Sequence, residues 1–284
     1  MEDFAFIRLK PTLQEALDSN APSIAMLGYF DQIRLATNES YTQITNVKNG
    51  IAFDGNYQVF ICDCGGNELL DITSKVAISE FTDNLGVQQI AFTLTNLEVD
   101  YYGNPVLLKF KHIVSDYVWY SNLINITDEN IHLTSRFDYR AYSNFNGIAY
   151  NIANKYQSIR LNCYFKAPDS ESSSVEYVNY EGIKVTSRLI ETELEKYRFE
   201  QLDSFCYRRL NKLLSHPVVY LNDNRVTNKQ TLKSNDFKSL SNFMDMDFNV
   251  AINYNEKYSE ILLAGTIYKD FKIGDWDDMD FLTG

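Results

Sequence analysis

The side chains of this 284-residue chain that could carry chemistry near neutral pH are three histidines, four cysteines and 38 carboxylates. His112, His132 and His216 lie far apart, and none shares a helical spacing with a second ligand and a glutamate, so packing or capping roles are expected of them. Cys62 and Cys64 are two positions apart on an alternating stretch, which puts both on one face of a strand. A zinc knuckle instead needs a Cys-x-x-Cys turn and a second pair, and Cys163 and Cys206 do not supply one. Reduced, partly buried thiols are expected, with no disulfide framework, no metal and no cofactor. Gly65-Gly66 follows a strand but lacks the other glycines and the lysine of a phosphate cradle, so it reads as a hairpin turn. No serine sits in a nucleophile elbow.

The carboxylates leave more open. A glycoside hydrolase needs only two acids held apart by the fold, and such a pair writes no local signature, so this reading stays as an alternative. Glu191, Glu193 and Glu195 alternate and would share the outward, solvated face of a strand. Asp245 and Asp247, like Asp275, Asp277, Asp278 and Asp280, lack the glycine and distal glutamate of a calcium loop. Among the aromatics, Trp119-Tyr120 and Tyr101-Tyr102 could stack on sugar rings, which makes a carbohydrate- or receptor-binding module a second alternative. The expectation that follows is a protein without enzymatic activity.

The elements that would hold these residues are mostly strands. Twenty Tyr and 18 Phe against 12 Gly and 5 Pro favour half-buried pleated surfaces. Tyr57, Val59 and Ile61, then Ile90, Phe92 and Leu94, then Val106, Leu108 and Phe110 alternate, with turn chemistry at 63–67 and 102–105. Ile159, Leu161, Cys163 and Phe165 repeat the pattern. Met244, Met246, Phe248, Val250, Ile252 and Tyr254 give the clearest strand. Two helices are predicted. One is capped by Thr12 with Glu15 in a capping box; the other carries Phe205, Cys206, Arg209, Leu210, Leu213 and Leu214 on helical spacing, with Asp203 at its start and His216-Pro217 at its end. The polar run 167–174, rich in serine, reads as an exposed loop, and 116–130 as a linking region.

The fold class expected is therefore mainly β, with two β-sandwich-like domains and one or two short helices. An N-terminal arm with a short helix would occupy 1–23, a first sandwich 24–115, and a second β domain 116–268 with its helix inserted near 203–214. An acidic C-terminal arm would occupy 269–284. Phe4, Phe6 and Ile7 at one end, and Trp276, Met279 and Phe281 at the other, are the expected arm anchors, with Trp119 and Tyr120 as further contact candidates. A formal charge of −12 opposes direct contact with nucleic acid. No apolar run has the length of a bilayer span, and Met1-Glu2-Asp3-Phe4 lacks the basic start of an export signal, so no membrane insertion and synthesis in a cytoplasm are expected.

The stretches Asp116-Tyr117-Val118-Trp119-Tyr120-Ser121-Asn122, Thr134-Ser135-Arg136-Phe137-Asp138-Tyr139 and Tyr156-Gln157-Ser158-Ile159-Arg160-Leu161 resemble β-rich virion proteins of tailed bacteriophages, especially those of Bacteroidetes hosts. The likeness extends in style from Asn49 to Tyr254 and transfers no residue role. It implies a tail, tail-tip, baseplate or neck component assembled in the host bacterial cytoplasm. Such a subunit would form a homo-oligomeric ring and contact other virion structural proteins.

Overall fold

The computed structural model describes residues 5–18, 33–46, 55–82, 86–97, 105–145, 147–229 and 243–257. The chain is mainly β, as its alternating aromatics require.

A short strand β1 (Leu9–Lys10) leads into helix α1 (Leu13–Asp18), where Thr12 Oγ1 accepts the Glu15 amide at 3.2 Å as the capping box predicts. Next come β2 (Ile33–Leu35), β3 (Ser40–Asn46), β4 (Tyr57–Cys62), β5 (Glu68–Asp71), β6 (Val76–Thr82), β7 (Gln88–Thr95) and β8 (Leu107–His112). After these follow β9 (Val118–Ser121), β10 (Asn125–Ile126), β11 (Ser135–Arg140), β12 (Asn144–Phe145), β13 (Ile148–Ala149), helix α2 (Tyr150–Ala153) and β14 (Gln157–Leu161). Two long strands, β15 (Cys163–Val178) and β16 (Lys184–Asp203), precede helix α3 (Ser204–Leu214), β17 (Val218–Leu221), β18 (Asn224–Lys229) and β19 (Phe243–Lys257).

Among the described residues these strands make a five-stranded sheet ordered β1-β9-β8-β4-β5, a three-stranded sheet β3-β7-β6 and a two-stranded pair β12-β13. The largest, of nine strands, is ordered β10-β2-β14-β11-β17-β18-β19-β16-β15. The turn between β4 and β5 has the predicted chemistry: Asp63 Oδ1 accepts the amides of Gly65 (2.8 Å) and Asn67 (2.9 Å). Gly66 must be glycine there, since its φ is +80° and a Cβ would stand 2.9 Å from the Leu13 side chain of α1.

The inner faces meet in one core. Val59, Ile61, Leu108 and Phe110 of the five-stranded sheet, Tyr41, Phe92 and Leu94 of the small sheet, and Phe137, Ile159, Phe199, Phe248 and Val250 of the large sheet belong to a single buried cluster. Leu210, Leu213 and Leu214 close it from α3, whose apolar residues fall on one stripe at the expected spacing.

Three expectations need correction. Residues 116–130 are not a linker: β9 pairs with β8, β10 pairs with β2, and every residue from Ser121 to Thr127 is buried. The run is polar because its side chains replace missing backbone partners. Ser121 Oγ accepts the Leu108 amide (2.8 Å), and Asn122 Oδ1 accepts the Arg8 amide (2.8 Å). The division at 115/116 is also not where the hydrogen bonds divide, since β2 from the first half sits in the large sheet beside β14. Finally, 167–174 is not a loop but the middle of β15. Both of its faces are wet, so no alternation marks it as a strand.

Candidate functional site

The densest group of ionisable side chains lies where β11 and β14 meet the start of β3. Arg136 and Asp138, two positions apart on β11, share one face, and Arg136 donates through Nε to Asp138 Oδ2 (2.9 Å) and through Nη2 to Oδ1 (3.0 Å). Arg160 on β14, directly opposite Arg136, grips Glu39 in the same two-pronged way and reaches Thr134 Oγ1 at 3.1 Å. Tyr41 donates to Glu39 while its own oxygen accepts the Ala36 amide at 2.9 Å, and the Arg136 guanidinium lies 5.4 Å from the Tyr41 ring centre.

Burial pushes the Glu39 carboxyl up, but the Arg160 and Tyr41 hydrogen bonds and the two guanidinium charges outweigh it and hold the group below its ordinary value. Burial raises Asp138, with Arg136 pulling against it. Burial and the adjacent Glu39 charge raise the Tyr41 phenol. Each carboxylate is held by a planar two-pronged guanidinium, and Glu39 also by the Tyr41 hydroxyl. The cluster joins β11 and β14 to the start of β3.

Burial also governs two of the thiols and His216. Burial lifts Cys62 to about 11 and Cys163 well above its ordinary value, which removes thiolate character at neutral pH. Cys62 and Cys64 do not share a face, because β4 ends at Cys62 and Cys64 stands exposed in the turn. Among the described residues no group of three or more His, Cys, Asp or Glu is placed to hold a metal ion. His216 ends α3 as a packed cap: Nδ1 donates to the Lys212 carbonyl (2.7 Å), Nε2 meets the Tyr150 hydroxyl (2.8 Å), and the rings of Tyr139, Phe145 and Tyr150 surround it edge-on.

The expected contact residues separate. Phe6 and Ile7 are core residues, 1% and 0% exposed, and so are not anchors of a free arm. Their amides both donate to Gln43 Oε1 (3.1 and 3.3 Å), and Arg209 Nε of α3 donates to the Ala5 carbonyl at 2.7 Å, so this segment is strapped down by side chains. Trp119 faces inward, 4% exposed, against Phe110 across the β8–β9 pair. Tyr120 takes the outer face, with Lys109 Nζ 5.8 Å from its ring centre. An aromatic pair on consecutive strand positions must divide this way, so it forms no stacking platform for sugars. Phe4, Tyr101, Tyr102, Trp276, Met279 and Phe281 lie outside the described residues, as does the Asp203 side chain.

The feature missed in the sequence is the β15–β16 hairpin. β16 pairs with β19 only from Glu195 to Asp203. Beyond Asp169 and Leu194 the two long strands pair with each other alone among the described residues. The outer part of β15, Asp169 to Val178, is about 33 Å long at 3.3 Å per residue. Its turn is set by Asn179, whose Oδ1 accepts the amides of Glu181 (3.0 Å) and Ile183 (2.9 Å), with Gly182 at φ +78°. Val175, Tyr177, Val178 and Ile183 are each at least half exposed, and Tyr180 at the tip is 96% exposed. Glu191 and Glu193 are exposed as expected, whereas Glu195, expected on the same solvated face, is half-buried and accepts the Tyr197 hydroxyl at 2.9 Å. The signal in the sequence was Asn179-Tyr180-Glu181-Gly182 between two stretches of similar length, a hairpin turn in a region without prolines past Pro168.

No protein-family model matches the chain, and no curated protein is significantly similar to it.

Proposed function

We propose that the chain is a non-enzymatic structural subunit of a tailed-phage virion, a tail, tail-tip or baseplate ring component that acts by associating with itself and with other virion proteins. The observation that carries the reading is the projecting β15–β16 arm. A two-stranded ribbon is marginal in water, and this one exposes Tyr177, Val178, Tyr180 and Ile183 at its far end. Such an arm serves attachment to another molecule rather than the stability of its own body. The resemblance of 116–122, 134–139 and 156–161 to phage virion proteins supplies the setting. Weak contacts repeated around a closed ring reinforce one another, so each need not be strong alone.

The test is the mass of the purified protein by light scattering at rising concentration, with negative-stain images of the same samples. Species heavier than the 32.9 kDa chain, closing into particles of fixed size, are expected. A monomer at every concentration, and still a monomer when mixed with the other virion proteins, would overturn the reading.

A further inference from the structure

We infer that the acidic C-terminal run, Asp275 to Phe281, docks within its own chain on a basic cluster at the root of the β15–β16 hairpin.

Three neighbouring strands build the cluster. On β16, Lys196 and Arg198 are two positions apart and share one face, and Arg198 lies directly opposite Asp247 of β19. On β15 the register steps from Phe165↔Tyr197 to Ala167↔Lys196, so Lys166 is the extra residue of a β-bulge. Bulges re-aim side chains, and this one brings the Lys166 ammonium to Asp247 Oδ2 at 2.7 Å. Lys196 Nζ stands 3.9 Å from the same oxygen, and Arg198 Nη1 stands 3.7 Å from Oδ1. Two ammonium groups and a guanidinium thus gather round a single carboxylate. Among the described residues Asp247 is the one acid that either lysine reaches, since Asp169, also on β15, is bound instead by Asn249 Nδ2 at 2.8 Å. The four side chains remain 29–38% exposed, which leaves the cluster open to a further anion.

Charge and reach select the occupant. Cations held this close repel one another, and added negative charge offsets that repulsion. The densest acidic run of the sequence is 275–280, four aspartates in six positions, with no Lys or Arg after Lys272. Trp276 adds an apolar contact. Tyr164, opposite Arg198 and half-buried, offers the indole a ring beside a guanidinium. β19 runs from Asp247 to Lys257, ten residues or about 33 Å. Residues 258–274 can cover up to about 56 Å, so the run reaches back to the cluster of its own chain. Tethering also gives it a higher local concentration than the same run on another copy at micromolar protein. Docked there, it straps β15, β16 and β19 together where the hairpin leaves the body.

Carbodiimide cross-linking of the full chain, with the joined peptides mapped by mass spectrometry, tests the contact. Lys166 to Asp247 serves as the internal control, because that pair already touches. Lys166 or Lys196 is expected to join an aspartate of 275–280 in material with the mass of one chain. Raising the salt from 0.1 M to about 1 M, which shortens the screening length from about 10 Å to about 3 Å, is expected to lower the yield of these links severalfold. Arg198→Glu, which leaves every cross-linking group in place, is expected to do the same at low salt while the control link persists.

A control link without any link to 275–280 overturns the docking. So do links from 275–280 to Lys184 and other lysines in equal yield. Links found only in covalent dimers place the run on another copy and overturn docking within the chain, while supporting self-association. A chain that stays monomeric in light scattering yet gives the expected links overturns the proposed function and leaves this contact standing.

Discussion

Arg136 and Asp138 show how a single pair of side chains can commit a strand to its place. Asp138 is fully buried, and only the two-pronged Arg136 donation keeps an ionised oxygen pair acceptable there. Arg136→Met removes the donor and leaves the carboxylate stranded. It is expected to cost about 3–5 kcal/mol, read from the urea midpoint, and a double variant that also carries Asp138→Leu should recover a large part of that loss. The sequence made this cluster hard to find. Arg136 and Asp138 are neighbours on one strand, but Glu39 and Arg160 are 121 positions apart, and the pairing of β14 with β2, just ahead of Glu39, brings them together. Trp119 was visible as a residue and misleading as a site, because an aromatic on a strand gives its face only once the register is known.

At the scale of elements, legibility followed burial. β19 announced itself through Met246, Phe248 and Val250, since one of its faces is apolar and the other wet. α3 did so through its leucine stripe, and α1 through the Thr12 cap. β10 and the end of β9 were hidden because both of their faces are inside, so Ser121-Asn122-Leu123-Ile124-Asn125 has no alternation to read. The outer half of β15 was hidden for the opposite reason, with both faces exposed. That difference yields a prediction. Replacing Ser170–Glu193 with a two-residue Asn-Gly turn removes no buried residue of the main core among the described side chains, so the melting temperature is expected to stay within a few degrees of wild type, while the heavier species seen by light scattering are lost.

For the molecule as a whole, the mainly β class was legible and the partition was not. Composition and short regular strands pointed to two sandwiches, but β2 crosses into the large sheet and residues of all three larger sheets share one core. Long-range pairing of this kind leaves no trace in local pattern. A fragment ending at Ser115, just before the 115/116 division, would expose the β2 edge that β14 covers and the β8 edge that β9 covers. Expressed alone, the 1–115 piece is expected to show no cooperative thermal transition by circular dichroism, whereas the full chain shows one.

The bond from Arg209 to the Ala5 carbonyl joins positions 204 apart. Its consequence is one of timing. At roughly 5–20 residues per second, the ribosome needs about 10–40 s after making Ala5 before Arg209 exists to hold it. Throughout that interval Phe6 and Ile7 lack part of their lining, and the nascent chain carries an open apolar seam. Ala5, Phe6 and Ile7 are thus among the last to settle, and chaperone occupancy of the nascent chain should fall only once α3 has left the exit tunnel.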